Sequence, residues 1–563
     1  MYKAKTTTQS IGSDQRAPHN NMMVANHTTK LAGNVDGEAP SLIVSHGQFD
    51  NLIGTFSGEF TEAARLSIPL ACVSPVSRGS SRMRESRFAV PMLLGAVLSF
   101  SWASNVMAAC TGASPNWTST PDYASVSACV SNASSGNTIN VSAGSATWSS
   151  TLALPASKGI TLIGAGAAST VITLIGDIDA ICSAGKPHRI SGFKFQNKTS
   201  GTAIAFSGTC SGIRVDHNTF SSFSSAVEGI VIDWFRAGTG PIYGVIDHNT
   251  FSSPVNHRAV LMYGLGKNWP SSPIGTGNNV FIEDNTFDFG DITDGSAGSG
   301  CADANYGASF VWRNNTSRNC LLSIHGEYND TGGVPSVEVY NSSFATNGPS
   351  RFWPDGTRLV HHQGSGEFMI FKNVFAAASG KSDTAISLTY YRSASGYGTR
   401  CDGTQPVDGN RSPTATYYGY PCYHQPGRRG DKTLSPIYVW NNQWSDTGGV
   451  VNISVEDPFG SGTPSPFTHL KSDRDYFNYV GTGFNGTSGT GMGPLANRPS
   501  TCTTSSESGG GVGYWATDTT TLYRCSATNT WVAHYRPYAY PHPLTQTGNP
   551  VALSAPSGLR IVP

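Results

Sequence analysis

The sequence predicts an all-β chain: a single-stranded right-handed parallel β-helix with an N-terminal capping helix and a small C-terminal extension. Three observations predict it. One pattern returns at 213–220 (IRVDHNTF), 245–251 (VIDHNTF), 280–287 (VFIEDNTF), 310–317 (FVWRNNTS), 337–344 (VEVYNSSF), 368–375 (FMIFKNVF) and 437–444 (IYVWNNQW). Within it an Asn stands at 218, 249, 285, 315, 373 and 442, with Ser342 as the one substitute, 27 to 36 residues apart except for a double-length gap before Asn442. Third, the chain is poor in charge (13%) and rich in glycine (64 of 563 residues), which suits an extracellular β architecture better than a helical one.

A repeat of this length, with strand alternation and no helical period, reads as one turn of a parallel coil. Equivalent residues of stacked coils then lie about 4.8 Å apart. A buried turn Asn can bond backbone groups of its own coil and the next, and the aromatics stack inside in the same frame.

Along the chain, residues 1–82 read as an extension that precedes the biological start. Residues 83–108 read as a secretory signal peptide: a basic stretch at 83–87, an apolar run from Phe88 to Trp102, then Val106-Met107-Ala108. The apolar run is shorter than the roughly 20 residues of a spanning helix, so no membrane span is expected in the mature chain. Ten cysteines follow residue 108, an even number that suggests disulfides in an exported protein, secreted to the exterior or the periplasm. Nearest-neighbour pairing would close five short loops. Met107-Ala108-Ala109-Cys110 also reads as a lipoprotein box, which ranks below simple cleavage because lipidation of Cys110 leaves nine cysteines.

Residues 122–133 can form a short amphipathic helix, and 136–144, 148–154 and 159–166 follow as strands. This succession resembles the opening of the pectate-lyase-like β-helix proteins, in which a helix covers the first coil and blocks edge-to-edge pairing. The resemblance covers roughly residues 115–480. It implies a carbohydrate-active β-helix whose substrate groove lies on the sheet after the Asn turn and its following strand. The fold alone carries lyases, hydrolases, esterases, epimerases and phage spikes. Residues 481–545 read as a small module with a Cys502–Cys525 pair and an extended tail against the coil, and 546–563 as a tail.

Net charge is zero, with 36 basic and 36 acidic residues, so no nucleic-acid partner is expected. Strand alternation points Val215, Ile246, Ile282, Trp312, Val339, Ile370 and Val439 inward and the residue after each outward. The outward column begins Asp216, Asp247, Glu283, Arg313. Its three acids are candidate ligands for Ca²⁺; the plainer reading is a solvated acidic edge balanced by Arg313.

A further strand follows each Asn, at 230–234, 259–263, 321–327, 358–362, 385–392 and 451–456. Stacked, its ends give a ladder of Asp233, Tyr263, His325 with Glu327, His361 with His362, Tyr390, Tyr391, Arg392 and Glu456. Three of 14 histidines fall on two of these strands. A polysaccharide lyase needs a base for the proton alpha to a uronate carboxylate, a positive charge for the enolate-like intermediate and an acid for the leaving oxygen. His325 or His361 suits the base, Arg392 the carboxylate clamp, and Glu327 either the orientation of His325 or the holding of a metal. Asp233, Tyr263, His362, Tyr390, Tyr391 and Glu456 would contact sugar.

The Lys and Arg pair of the alginate-lyase and chondroitinase-like β-helices has only Lys267 and Lys372 as loose candidates. The excursion from Ser393 to Leu434 carries Arg400 and would wall the groove. The leading expectation is a lyase of an anionic, uronate-containing glycan that requires no cofactor beyond Ca²⁺ at most. The alternatives are a glycoside hydrolase or epimerase in the same groove, and a non-enzymatic adhesin or matrix β-helix. Nothing in the sequence sets an oligomeric state.

Overall fold

A computed structural model describes residues 109–224, 227–233, 240–252, 258–264, 273–290, 300–326, 333–347, 358–362, 366–376, 384–389, 426–429, 433–456 and 470–546. The proposed extension and signal peptide lie outside them. Three long sheets run along one axis, with 13, 10 and 10 strands, and coil-to-coil pairing within them is parallel. The chain visits the first, second and third sheet in turn and then steps one coil on, which is a parallel β-helix; the handedness rule for parallel crossovers makes it right-handed.

The Asn column is the reason the turn between the first and second sheets repeats so faithfully. Asn249 donates from Nδ2 to the Val215 carbonyl one coil back (2.8 Å) and accepts from the Asn218 amide at Oδ1 (3.0 Å). Asn285, Asn315, Asn373 and Asn442 reach the carbonyls of Ile246, Ile282, Val339 and Ile370 in the same way. Ser342 keeps half the pattern: its Oγ accepts from the Asn315 amide at 3.1 Å. Inside, Phe220, Phe251 and Phe287 stack at 4.6 and 4.8 Å. Ser317 interrupts that row, and Trp312 from the first sheet closes against Phe287 at 4.8 Å instead.

The residue before each ladder Asn is left-handed (φ 55–57°) in seven successive coils: His217, His248, Asp284, Asn314, Asn341, Lys372 and Asn441. Asn, Asp and His tolerate this conformation better than other side chains, because short polar groups bond the local backbone.

The helix Tyr123–Asn132 caps the first coil, with Asp122 accepting from the Ser125 amide at its N-terminus and Val126, Cys129 and Val130 buried. Disulfides join Cys110–Cys129, Cys182–Cys210, Cys301–Cys320 and Cys502–Cys525, all nearest neighbours in sequence. Cys401 and Cys422 lie outside the described residues. A thiol engaged with Cys129 cannot carry a lipid, so the structure corrects the lipoprotein reading of Cys110.

The double-length gap hides no missing coil. Strand Glu367–Phe371 pairs directly with Ile437–Trp440, so Val374–Ala376 and Thr384–Leu388 between them belong to one and the same coil. The solvated acidic edge is a second correction. The column Asp216, Asp247, Glu283, Arg313 does point out of the coil, yet all four are buried. A four-stranded C-terminal sheet (490–535) packs Trp515, Leu522 and Tyr535 against Phe371, Tyr438 and Trp440 of the first sheet. The tail then runs back over earlier coils. Arg313 donates to the carbonyls of Tyr538 and Ala539, Glu283 accepts from the His542 amide, and Arg214 donates to the Leu544 carbonyl.

Candidate functional site

The third sheet sets the frame of the candidate site. Its parallel register runs Leu261, Asp303, Ser323, His361, Ser387, Ser454, one residue per coil. Their neighbours Ala302, Ala304, Leu322, Ile324 and Val360 fill the coil core, so the row faces outward. A second outward row, two residues on, carries Asp233, Tyr263 and Asn305. His325 follows in it, its amide bonded to the Ala304 carbonyl.

The two histidine-bearing strands therefore lie on one wall and on adjacent coils. His361 stands opposite Ser323, two residues short of His325, so the ladder order read from the sequence is offset by one alternation. His362 is in register with Ile324 and Leu388.

Asp303 is the centre of the arrangement and was missed. Its strand, Gly300–Asn305, is built from small residues (GCADAN) without the β-branched signature of its neighbours. The signal that could have found it is the alternation itself, with Cys301 tethered to Cys320 and Ala302 and Ala304 inward. Oδ1 of Asp303 accepts from Asn305 Nδ2 (2.9 Å) and lies 2.8 Å from His325 Nε2. Oδ2 lies 2.9 Å from Arg258 Nε. Ser323 Oγ lies 2.9 Å from the same His325 nitrogen, and His361 Nδ1 lies 2.8 Å from Ser387 Oγ.

Arg258 also meets Glu228 at 3.2 Å. The carboxylate of Asp303 holds the guanidinium charged against partial burial. Tyr263 stacks on Tyr306 at 5.3 Å. Burial, reinforced by the charge of Glu228, pushes its phenol up to about 12. At neutral pH it is a hydrogen-bond donor and not a base. Asp233 is buried on the same wall, and Glu456 sits half-buried at its far end with its amide on the Leu388 carbonyl.

An imidazole seated on a buried carboxylate, with a second imidazole one coil away and a guanidinium on the carboxylate's other oxygen, can accept and return a proton. Glu327, Lys267, Tyr390, Tyr391, Arg392 and Arg400, named from the sequence, lie outside the described residues. Lys372 does not join this wall. It sits on the edge between the first and second sheets, in a groove of about 620 Å³ with Asn314, Asn341, Asn441 and Tyr540.

The acidic column does not fit Ca²⁺. Arg189 binds both oxygens of Asp216 at 2.7 Å, Arg214 both of Asp247 at 2.9 and 2.8 Å, and Arg313 holds Glu283. The oxygens a hard cation would need are occupied by guanidinium groups. Burial alone would raise the Asp216 carboxyl, but Arg189, His217 and Arg214 hold it far below the usual carboxylate range. No helix among the described residues is long and apolar enough to cross a membrane.

No family model matches this chain, and no curated protein matches its sequence. Solved structures do. The alginate lyase from Paenibacillus sp. str. FPU-7 aligns with 12% identity and a TM-score of 0.33, over 61% of this chain and 99% of its own. The PL6 family polysaccharide lyase Pedsa3628 from Pseudopedobacter saltans aligns with 11% identity and a TM-score of 0.27, over 63% of this chain and 96% of its own.

Proposed function

We propose that this chain is an exported polysaccharide lyase that cleaves a uronate-containing glycan by β-elimination on the outer face of the third sheet. The observation that carries the reading is the pairing of His325 with the buried Asp303 on the wall that also bears Arg258 and His361. The four disulfides among the described residues suit an oxidising compartment.

In this reading His325 takes the proton alpha to the uronate carboxylate. The electron pair left behind forms the ring double bond, the bond to the 4-linked oxygen breaks, and that oxygen collects a proton from His361 or Tyr263. Asp303 holds the His325 ring in place and stabilises its protonated form. Arg258, joined in this reading by Arg392, neutralises the substrate carboxylate as charge builds. The roles need no cofactor.

One observation favours a second reading. Arg258 already has two carboxylate partners, and Asp233 adds a third acid to the wall. A face this rich in carboxylates would also suit hydrolysis of a neutral glycan, which needs two of them. The test is a screen of the purified protein against alginate, pectate, glucuronan and neutral glycans, with and without Ca²⁺. Unsaturated ends absorbing in the ultraviolet support elimination; new reducing ends without that absorbance support hydrolysis; glycan binding without turnover supports an adhesin or matrix role.

A further inference from the structure

His217 and His248 occupy the same left-handed position in adjacent coils, on the edge between the first and second sheets. Their rings are parallel to within 3° and 5.0 Å apart. Each places Nδ1 2.9 Å from a carboxylate behind it, Asp216 for His217 and Asp247 for His248. Both carboxylates are buried and held by arginines, whereas the histidine side chains are 58% and 47% exposed. Asp284 follows in the same column one coil on.

This is a matched pair of carboxylate-oriented imidazoles. Each Nδ1 is committed as donor to its carboxylate, so in the neutral ring each Nε2 carries the lone pair. The same second layer orients histidines in metal centres and raises their basicity as ligands. Two nitrogens bound to one ion at about 2.1 Å in tetrahedral geometry stand roughly 3.4 Å apart. The rings stand parallel with centroids 5.0 Å apart, so chelation requires these two exposed side chains to tilt toward each other. Among the described residues no three histidine, cysteine or acidic side chains are grouped to hold an ion, so the chelate has two protein ligands and is completed by water.

We infer that His217 and His248 form a surface binding site for a borderline divalent cation, Zn²⁺, Ni²⁺ or Cu²⁺, with Asp216 and Asp247 as orienting partners. Nitrogen ligands select these ions over Ca²⁺ and Mg²⁺. The acids that suggested Ca²⁺ in the sequence act here one layer behind the ligands. The site lies on a different edge from the third-sheet wall and does not depend on the proposed catalysis.

The test uses variants that the coil already accepts. Asn occupies the same left-handed position at Asn314, Asn341 and Asn441, so His217→Asn and His248→Asn match the backbone. Calorimetric titration of the full exported chain with Ni²⁺ and Zn²⁺ is compared with both single variants and the double variant, which reports binding by other histidines. The expected result is one equivalent that weakens at least about tenfold in either single variant and vanishes in the double variant. In the Cu²⁺ complex, spin-resonance nitrogen couplings fall from two imidazoles to one in each single variant. Equal stoichiometry and affinity in wild type and double variant overturns the site. Loss in only one single variant overturns the two-nitrogen chelate.

Discussion

Asp303 and His325 sit on adjacent coils with Oδ1 and Nε2 2.8 Å apart, although 22 positions separate them in sequence. The contact exists because strand Gly300–Asn305 pairs in parallel with Leu321–Ile324. It gives the third-sheet wall a proton-transfer group with a fixed orientation.

Replacing that group separates chemistry from folding. His325→Ala is expected to lower turnover by about 10²–10⁴-fold, the usual contribution of a general base. Asp303→Asn keeps the shape but removes the charge behind the ring, and should lower turnover while leaving the melting transition nearly in place. Steady-state kinetics beside thermal melts checks both.

The buried column makes a stability prediction. Arg313→Met leaves Glu283 buried beside the tail with its charge unmatched, and should cost about 3–5 kcal/mol. Adding Glu283→Gln should recover much of that, a coupling that a double-mutant cycle in denaturant measures. Additive losses would mean that the two side chains act independently.

The ladder predicts a gain as well as a loss. Asn249→Ala strips partners from the Val215 carbonyl and the Asn218 amide, both buried, and should cost about 2–4 kcal/mol. Ser342→Asn should do the opposite, by restoring a bond to the previous coil worth about 1 kcal/mol. Denaturant midpoints of the two variants should move in opposite directions.

Glu338 gives a pH dependence. Burial pushes its carboxyl up to about 7, against the opposing bonds from Tyr535 and the Gly275 amide. The folded state keeps a proton that the unfolded chain releases near 4.5. That contribution is full below pH 4.5 and is lost as pH rises through about 7, a change of about 3 kcal/mol. Glu338→Gln should flatten the melting profile over this interval.

The coil and its Asn column were legible because the repeat is physical: every coil must satisfy the same turn amides and carbonyls, so the same residue returns. The site was legible only in part. Strand alternation placed His325 and His361 on one wall, but an offset of two residues is invisible without the pairing register. Asp303 was hidden by its alanine neighbours. Arg214, two residues before Asp216 in a repeat strand, points out on the same alternation and could have been read as the partner of the acids. The cover over that column could not, because it comes from residues 535–544, more than 190 positions downstream.

Elimination at the third-sheet wall is tested most directly by following ultraviolet absorbance while wild type and His325→Ala digest a soluble polyuronate. Steadily rising absorbance in the wild type, absent in a variant that melts at the same temperature, is the predicted result. Chain shortening without absorbance, or equal activity in the two proteins, would contradict it.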